Sequence, residues 1–208
     1  MSVTVHLLRS GGLLDPVFEM IVPALERCER EVFSVLDVPA VDLVVSPGLK
    51  VIPEIGMTGY SQGAHQAFVA VNPANGNLCR EFEVNFLGTV GHELHHCART
   101  AKGKRGRSLW DTLIFEGLAC HYESELRGSP PFYATFLFDM EQQRLLARVA
   151  AERDRKDFNY HAWFLGSEEE NLPRYAGYSI GYSIVDRYIR KTGVPASKLL
   201  SAASDDFL

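Results

Sequence analysis

The string "VGHELHHCART", Val90 to Thr100, contains the pattern H-E-x-x-H at His92, Glu93 and His96. On a helix of 3.6 residues per turn, His92 and His96 stand about 40° apart around the axis and one turn apart along it, so both imidazoles can reach one ion. Glu93 adjoins the first of them, where a carboxylate can take a proton from water activated by that ion. This is the chemistry of a metal-dependent hydrolase. The plain alternative is a solvated helix face that happens to be rich in histidine.

A catalytic zinc site takes three protein ligands and leaves one position open. A third histidine six residues after the second, behind a glycine, is excluded because Lys102 stands there. The other solution is a glutamate from the following helix, and "LIFEGLACHYE" supplies Glu116. The basic loop from Ala101 to Arg107 can turn the chain back, so antiparallel helices would bring Glu116 to the histidine pair. Gly117 and Ala119 are small enough to let such helices approach closely. His95 reads as a structural or exposed histidine and His121 as a hydrogen-bonded one.

"TVGHELHH", followed by "DTLIFEGLACHYE" and then "YAGYSIGYSIVDRYI", resembles the predicted zinc-dependent proteases of the gluzincin class, from about Glu83 to the C-terminus. The resemblance implies a zincin-like fold with a catalytic helix under a small sheet. It implies His92, His96 and Glu116 as ligands of one zinc ion per chain, and Glu93 as general base. The Y-x-x-G formed by Tyr178 and Gly181 resembles that of gluzincin aminopeptidases, which makes Tyr178 the expected oxyanion donor and Tyr182 the second candidate. One departure stands out. Gluzincins often carry an aspartate four residues after the ligand glutamate to orient a histidine, and here that place holds Cys120. Either another group, Glu123 or a backbone carbonyl, takes over that task, or the zinc is held more weakly.

These residues need elements to hold them. Val3 to Leu8 and "VDLVVS", Val41 to Ser46, read as strands, and "AFVAVNP", Ala67 to Pro73, as a third. That third strand is weighed evenly as a core strand and as an edge on which an extended peptide could pair. Asp15-Pro16 opens a helix running to about Leu36 with a kink at Pro23, and Pro47 to Gly63 reads as an irregular glycine- and proline-rich stretch. Phe86, Leu87, Val90 and Leu94 give Phe82 to Ala98 an amphipathic helical pattern. Ser108 with Asp111 is a capping-box arrangement opening the next helix, which Gly128-Ser129-Pro130-Pro131 ends near Arg127. Further helical patterns cover about Phe132 to Arg153 and Tyr175 to Lys191, with "SEEENLP" as an exposed linker. The expected class is α+β: a small mixed N-terminal sheet on the H-E-x-x-H helix and a mostly helical C-terminal part. Residues 1–208 are expected to form one domain, with lobes of about 1–100 and 101–208.

Composition bounds the rest. With 46% apolar and 23% charged residues among 208, the chain has the profile of a soluble globular protein, and its net charge of −5 argues against a nucleic-acid partner. The sequence begins "MSVTVHLLRSGG", without the pattern of a secretory signal, and no apolar run reaches the roughly 18 residues of a membrane span, so a cytoplasmic protein with no membrane partner is expected. The four cysteines form no CxxC pair and are expected to be reduced thiols. The functional expectation is a zinc metallopeptidase acting on a peptide or protein. A zincin-like binding module with a structural metal site and a hydrolase of non-peptide amides are the alternatives. The oligomeric state is not readable.

Overall fold

The computed structural model describes residues 3–208. The chain is α+β, with a four-stranded mixed sheet and six α-helices among the described residues. It divides into two compact units, Met1–Lys102 with Glu125–Gly128, and Gly103–Ser124 with Ser129–Leu208.

In the first unit, β1 (Val3–Leu7), β2 (Val41–Pro47) and β4 (Gln66–Val71) run parallel, and β3 (Met57–Ser61) pairs antiparallel with β4, giving the order β1-β2-β4-β3. Val41, Leu43 and Val45 of β2 and Ala67, Val69 and Val71 of β4 are buried, while the residues between them are more exposed. That alternation is what a sheet covered on one face requires. The sheet packs on α2 (Phe82–Ala101), and α1 (Phe18–Cys28) packs on α2 in turn. Ile21, Ala24 and Cys28 form the buried face of α1 at helical spacing.

Four local expectations change. The segment expected as one helix from Asp15 to Leu36 is a 3-10 turn (Asp15–Val17), then α1, then a π turn (Glu29–Phe33) closed by Ser34 N–H donating to the Glu29 carbonyl. Leu14, not Asp15, occupies its cap position. The stretch read as irregular contains β3, which takes the edge of the sheet. The strand Ala67 to Pro73, weighed as a peptide-pairing edge, is β4 and is hydrogen-bonded on both sides, by β2 and by β3, so it has no edge to offer. And α2 is not amphipathic in the ordinary sense, since its residues Asn85 to Arg99 are all buried.

The second unit is built on α3 (Leu109–Arg127), α4 (Asp139–Glu152), α5 (Tyr160–Leu165) and α6 (Ala176–Thr192). The start of α3 is the expected capping box: Asp111 N–H donates to Ser108 Oγ and Ser108 N–H to Asp111 Oδ2, each at 3.1 Å. The region expected as one helix from Phe132 to Arg153 is broken into a 3-10 turn (Phe132–Thr135) and α4. The acidic stretch around Glu168 closes on itself through a bridge between Ser167 and Leu172, with Glu170 taken up by Arg148 and Asn159. Two glycines set the crossing of α3 and α6. A Cβ on Gly117 would meet the Gly181 carbonyl, and one on Gly181 would meet the Leu113 carbonyl, so only bare Cα atoms allow this approach. No helix of the described residues is long and apolar enough to cross a membrane.

Candidate metal centre

On α2, the residues of H-E-x-x-H are 5–7% exposed, and His95 is fully buried. A solvated histidine face is therefore not what the sequence builds. The rings of His92 and His96 lie 4.6 Å apart between centroids and nearly perpendicular, edge to face, on neighbouring turns as the four-residue spacing implies. Burying polar rings and a carboxylate on one helix is costly unless they are engaged. Glu93 lies against β3, where Gly59 faces its carboxylate: a Cβ there would come within 2.6 Å of Glu93 Cγ and 2.8 Å of Cδ. One turn further on, the buried Cys97 donates weakly to the Gln66 carbonyl at 3.6 Å, and burial followed by the charge of Glu93 pushes its thiol up to about 12. Cys28, Cys97 and Cys120 are buried and Cys79 is exposed, all as free thiols.

On α3, Glu116 is buried and accepts a hydrogen bond from the Tyr160 hydroxyl at 3.2 Å. Tyr160 comes from α5, a six-residue helix capped by Asn159, whose side chain accepts from Ala162 N–H. Its ring stacks on Phe164 at 4.4 Å, and Phe164 in turn lies on the bare Cα of Gly177 in α6. Tyr160 keeps 41% of its surface exposed. Tyr178 lies behind it, one turn before Gly181, with its ring against Phe164 and Tyr133. Burial pushes the Tyr178 hydroxyl well above its usual range, reinforced by the charges of Tyr160 and Glu116 and by a hydrogen bond with Tyr160. Hydroxyls of Tyr178 and Tyr160 and the carboxylate of Glu116 thus form a chain.

The other expected candidates sit elsewhere on the same helices. Tyr182 stacks on His121 at 3.8 Å, and its hydroxyl accepts from Ser124 Oγ at 3.4 Å, two turns along α3 from Glu116. His121 shares a hydrogen bond with the Tyr182 carbonyl at 3.0 Å, and burial holds its pKa below the usual histidine value despite that bond. Glu123, the proposed stand-in for the missing aspartate, is buried and accepts from the Tyr133 hydroxyl. Burial, then the Glu123 charge, raises that tyrosine. Lys102 pairs with Asp37 at 2.8 Å, and Arg105 and Arg107 are exposed, as a solvated loop would be.

His92, His96 and Glu116 are all buried, and each offers one ligand atom, a ring nitrogen or a carboxylate oxygen, with these atoms within 4.8 Å of one another. Two neutral nitrogens and one carboxylate suit zinc, whose ligand bonds run near 2.0–2.2 Å. Tetrahedral donors at such bond lengths stand about 3.4 Å apart, and three groups within 4.8 Å of one another lie near enough to close on one ion, so the residues present fit the group. The described part of this α+β protein thus holds a buried two-histidine, one-carboxylate cluster of a kind that can hold a metal ion. The chain belongs to the family described as "Predicted Zn-dependent protease (DUF2268)", whose model matches residues 18–208. It is 30% identical over 123 residues to the "Uncharacterized protein YjaZ" of Bacillus subtilis (strain 168), a match that covers 56% of this chain and 47% of that protein. The chain therefore spans about half the length of the curated relative it matches. No solved structure matches it.

The sequence reading missed Tyr160. A helix of six residues is too short to show a period, and the signal was the Asn159 cap ahead of the apolar run Ala162 to Leu165 in "NYHAWFL".

Proposed function

We propose that the chain is a zinc metallopeptidase of the gluzincin kind, with His92, His96 and Glu116 as ligands of one zinc ion and Glu93 as general base. The observation that carries the reading is the buried two-histidine, one-carboxylate cluster with a second carboxylate, Glu93, next in sequence to the first ligand. Zinc supplies a Lewis acid that polarises a carbonyl and lowers the pKa of water to about 7. Glu93 then takes the proton of the attacking water and hands it to the leaving amine. The tyrosine pair supplies the hydroxyl donor that a peptide oxyanion needs: Tyr178 was the residue expected from sequence, and Tyr160 is the more exposed partner hydrogen-bonded to it. In this reading the fold is zincin-like and residues 1–208 act as one domain. An extended peptide would pair on β3, the edge strand packed on α2, rather than on β4.

The test separates binding from chemistry. Purified protein should carry about one zinc per chain, as a single three-ligand site requires. Glu93→Gln should keep the metal and lose peptide hydrolysis, and Glu116→Ala should lose the metal. A Glu116→Ala variant that bound zinc as well as the parent would remove Glu116 from the ligand set. Undiminished hydrolysis by Glu93→Gln would instead favour a binding module with a structural metal.

A further inference from the structure

The Gly59 position in β3 carries a consequence for Glu93. Met57, Gly59 and Ser61 share one face of the strand, and Met57 on that face is fully buried while Tyr60 on the other is 56% exposed. The face of Met57 and Gly59 is thus the one turned to the protein interior, where β3 packs on α2. Gly59 pairs with Val69 of β4 and its backbone needs no left-handed conformation, so conformational freedom does not explain a glycine here. Space does. A Cβ at this position would meet Glu93 Oε1, Cγ and Cδ, the last two at 2.6 and 2.8 Å. Ordinary contact between such atoms needs about 3.5 Å or more, so any side chain would drive the carboxyl group aside by on the order of 1 Å. Glu93 has little slack, because it is 6% exposed on a helix buried all round.

The geometry points to Gly59 as a positioning residue: the missing Cβ in the edge strand reserves the place in which the Glu93 carboxylate stands, and so fixes the proton acceptor relative to the ligand histidines on the same helix. This inference rests on the reading of Glu93 as general base. A displacement of about 1 Å at a reacting group can cost on the order of 100-fold in rate. None of the proposed ligands takes part in the contact, so metal binding is left alone.

Two measurements on the full chain test it, with zinc content recorded for each variant. The first is turnover of casein and a mixture of internally quenched peptides well below the melting temperature. Gly59→Ala should keep its zinc and its KM within about twofold while kcat falls on the order of 100-fold. The second is a thermal-melting cycle in wild-type and Glu93→Ala backgrounds. Gly59→Ala should lower Tm in the first and not in the second, where the added methyl group enters the volume Glu93 has left. A wild-type kcat in Gly59→Ala, or an equal Tm penalty in both backgrounds, overturns the inference. Unchanged hydrolysis by Glu93→Gln overturns instead the catalytic reading on which it rests. If the wild-type chain cleaves none of these substrates, that counts against the peptidase reading, and the melting cycle still decides whether Gly59 acts through Glu93.

Discussion

The surroundings of two of the buried carboxylates, Glu93 in the sheet unit and Glu116 in the helical unit, differ in kind. Glu93 lies against bare strand backbone, and the absence of a side chain at Gly59 leaves the room its carboxylate occupies. Glu116 is held by a donor, the Tyr160 hydroxyl, itself backed by Tyr178. Each also stands beside a glycine that admits no Cβ, but the obstacle differs. At Gly59 it is the end of a side chain, whereas at Gly117 it is the backbone of Gly181. A side chain can swing away at the expense of its function. Backbone in a helix crossing cannot, and the expense falls on folding.

That difference orders the variants. Gly117→Ala should have the largest effect on stability, because the new methyl group meets the Gly181 carbonyl and lies 3.0 Å from Val185 Cγ2. Overpacking of this kind costs on the order of 2–3 kcal/mol, seen as a fall in the chemical-denaturation midpoint. Gly59→Ala should cost clearly less stability and much more turnover. Equal stability losses at the two glycines would erase the contrast.

The next effect concerns the donor side. Tyr160→Phe keeps the ring stacked on Phe164 and removes only the hydroxyl that Glu116 accepts from. Loss of a partner that orients a ligand typically weakens metal binding 10- to 100-fold. Since Tyr160 is 41% exposed, and water can replace part of the bond, the low end of about tenfold is expected in competition with a chelator. Tyr178→Phe, one step further from Glu116, should do less. If it did more, Tyr178 rather than Tyr160 would be the group that matters to the carboxylate.

How much of this was legible in the sequence follows the same divide. The strands β1, β2 and β4 announced themselves by apolar runs bounded by turn residues, and α2 and the opening of α3 by spacing and a capping box. The candidate cluster was legible because H-E-x-x-H and the glutamate of E-G-L-A are local strings. The edge strand was not. "GMTGYS" carries Gly56 at φ +68° and Gly59 against Glu93, so the glycines that made it look like a loop are there for a turn and for a close approach. Strand pairing is set by β4 across the hairpin, which local composition does not encode. Tyr160 was hidden for a related reason, since its contact with Glu116 depends on α5 and α6 meeting at Gly177 and on α3 and α6 crossing at Gly117. The buried surroundings of His95 were equally unreadable, because a helix enclosed on all sides shows no polar face to contradict an amphipathic pattern.

The smallest effect expected is at the start of α3, far along that helix from Glu116. Ser108→Ala removes the Oγ that accepts the Asp111 N–H at 3.1 Å, which should cost about 1 kcal/mol. The same cap has a pH signature. Burial alone would raise the Asp111 pKa, but hydrogen bonds from the Ser204 side chain, from Ser108 and from the Arg107 N–H outweigh it and hold the carboxyl below its usual value. A carboxylate with a depressed folded pKa lends stability that is complete above the unfolded value near 3.9 and is lost as pH falls through the folded one. Stability of the wild-type chain should therefore decline below about pH 4 partly through this group. Asp111→Asn should flatten that part of the decline in urea titrations between about pH 5 and pH 3, while leaving zinc affinity at neutral pH unchanged. A decline of the same slope in the variant would mean that the cap contributes no proton linkage. A loss of zinc affinity would mean that the helix start, and not only Tyr160, governs where Glu116 stands.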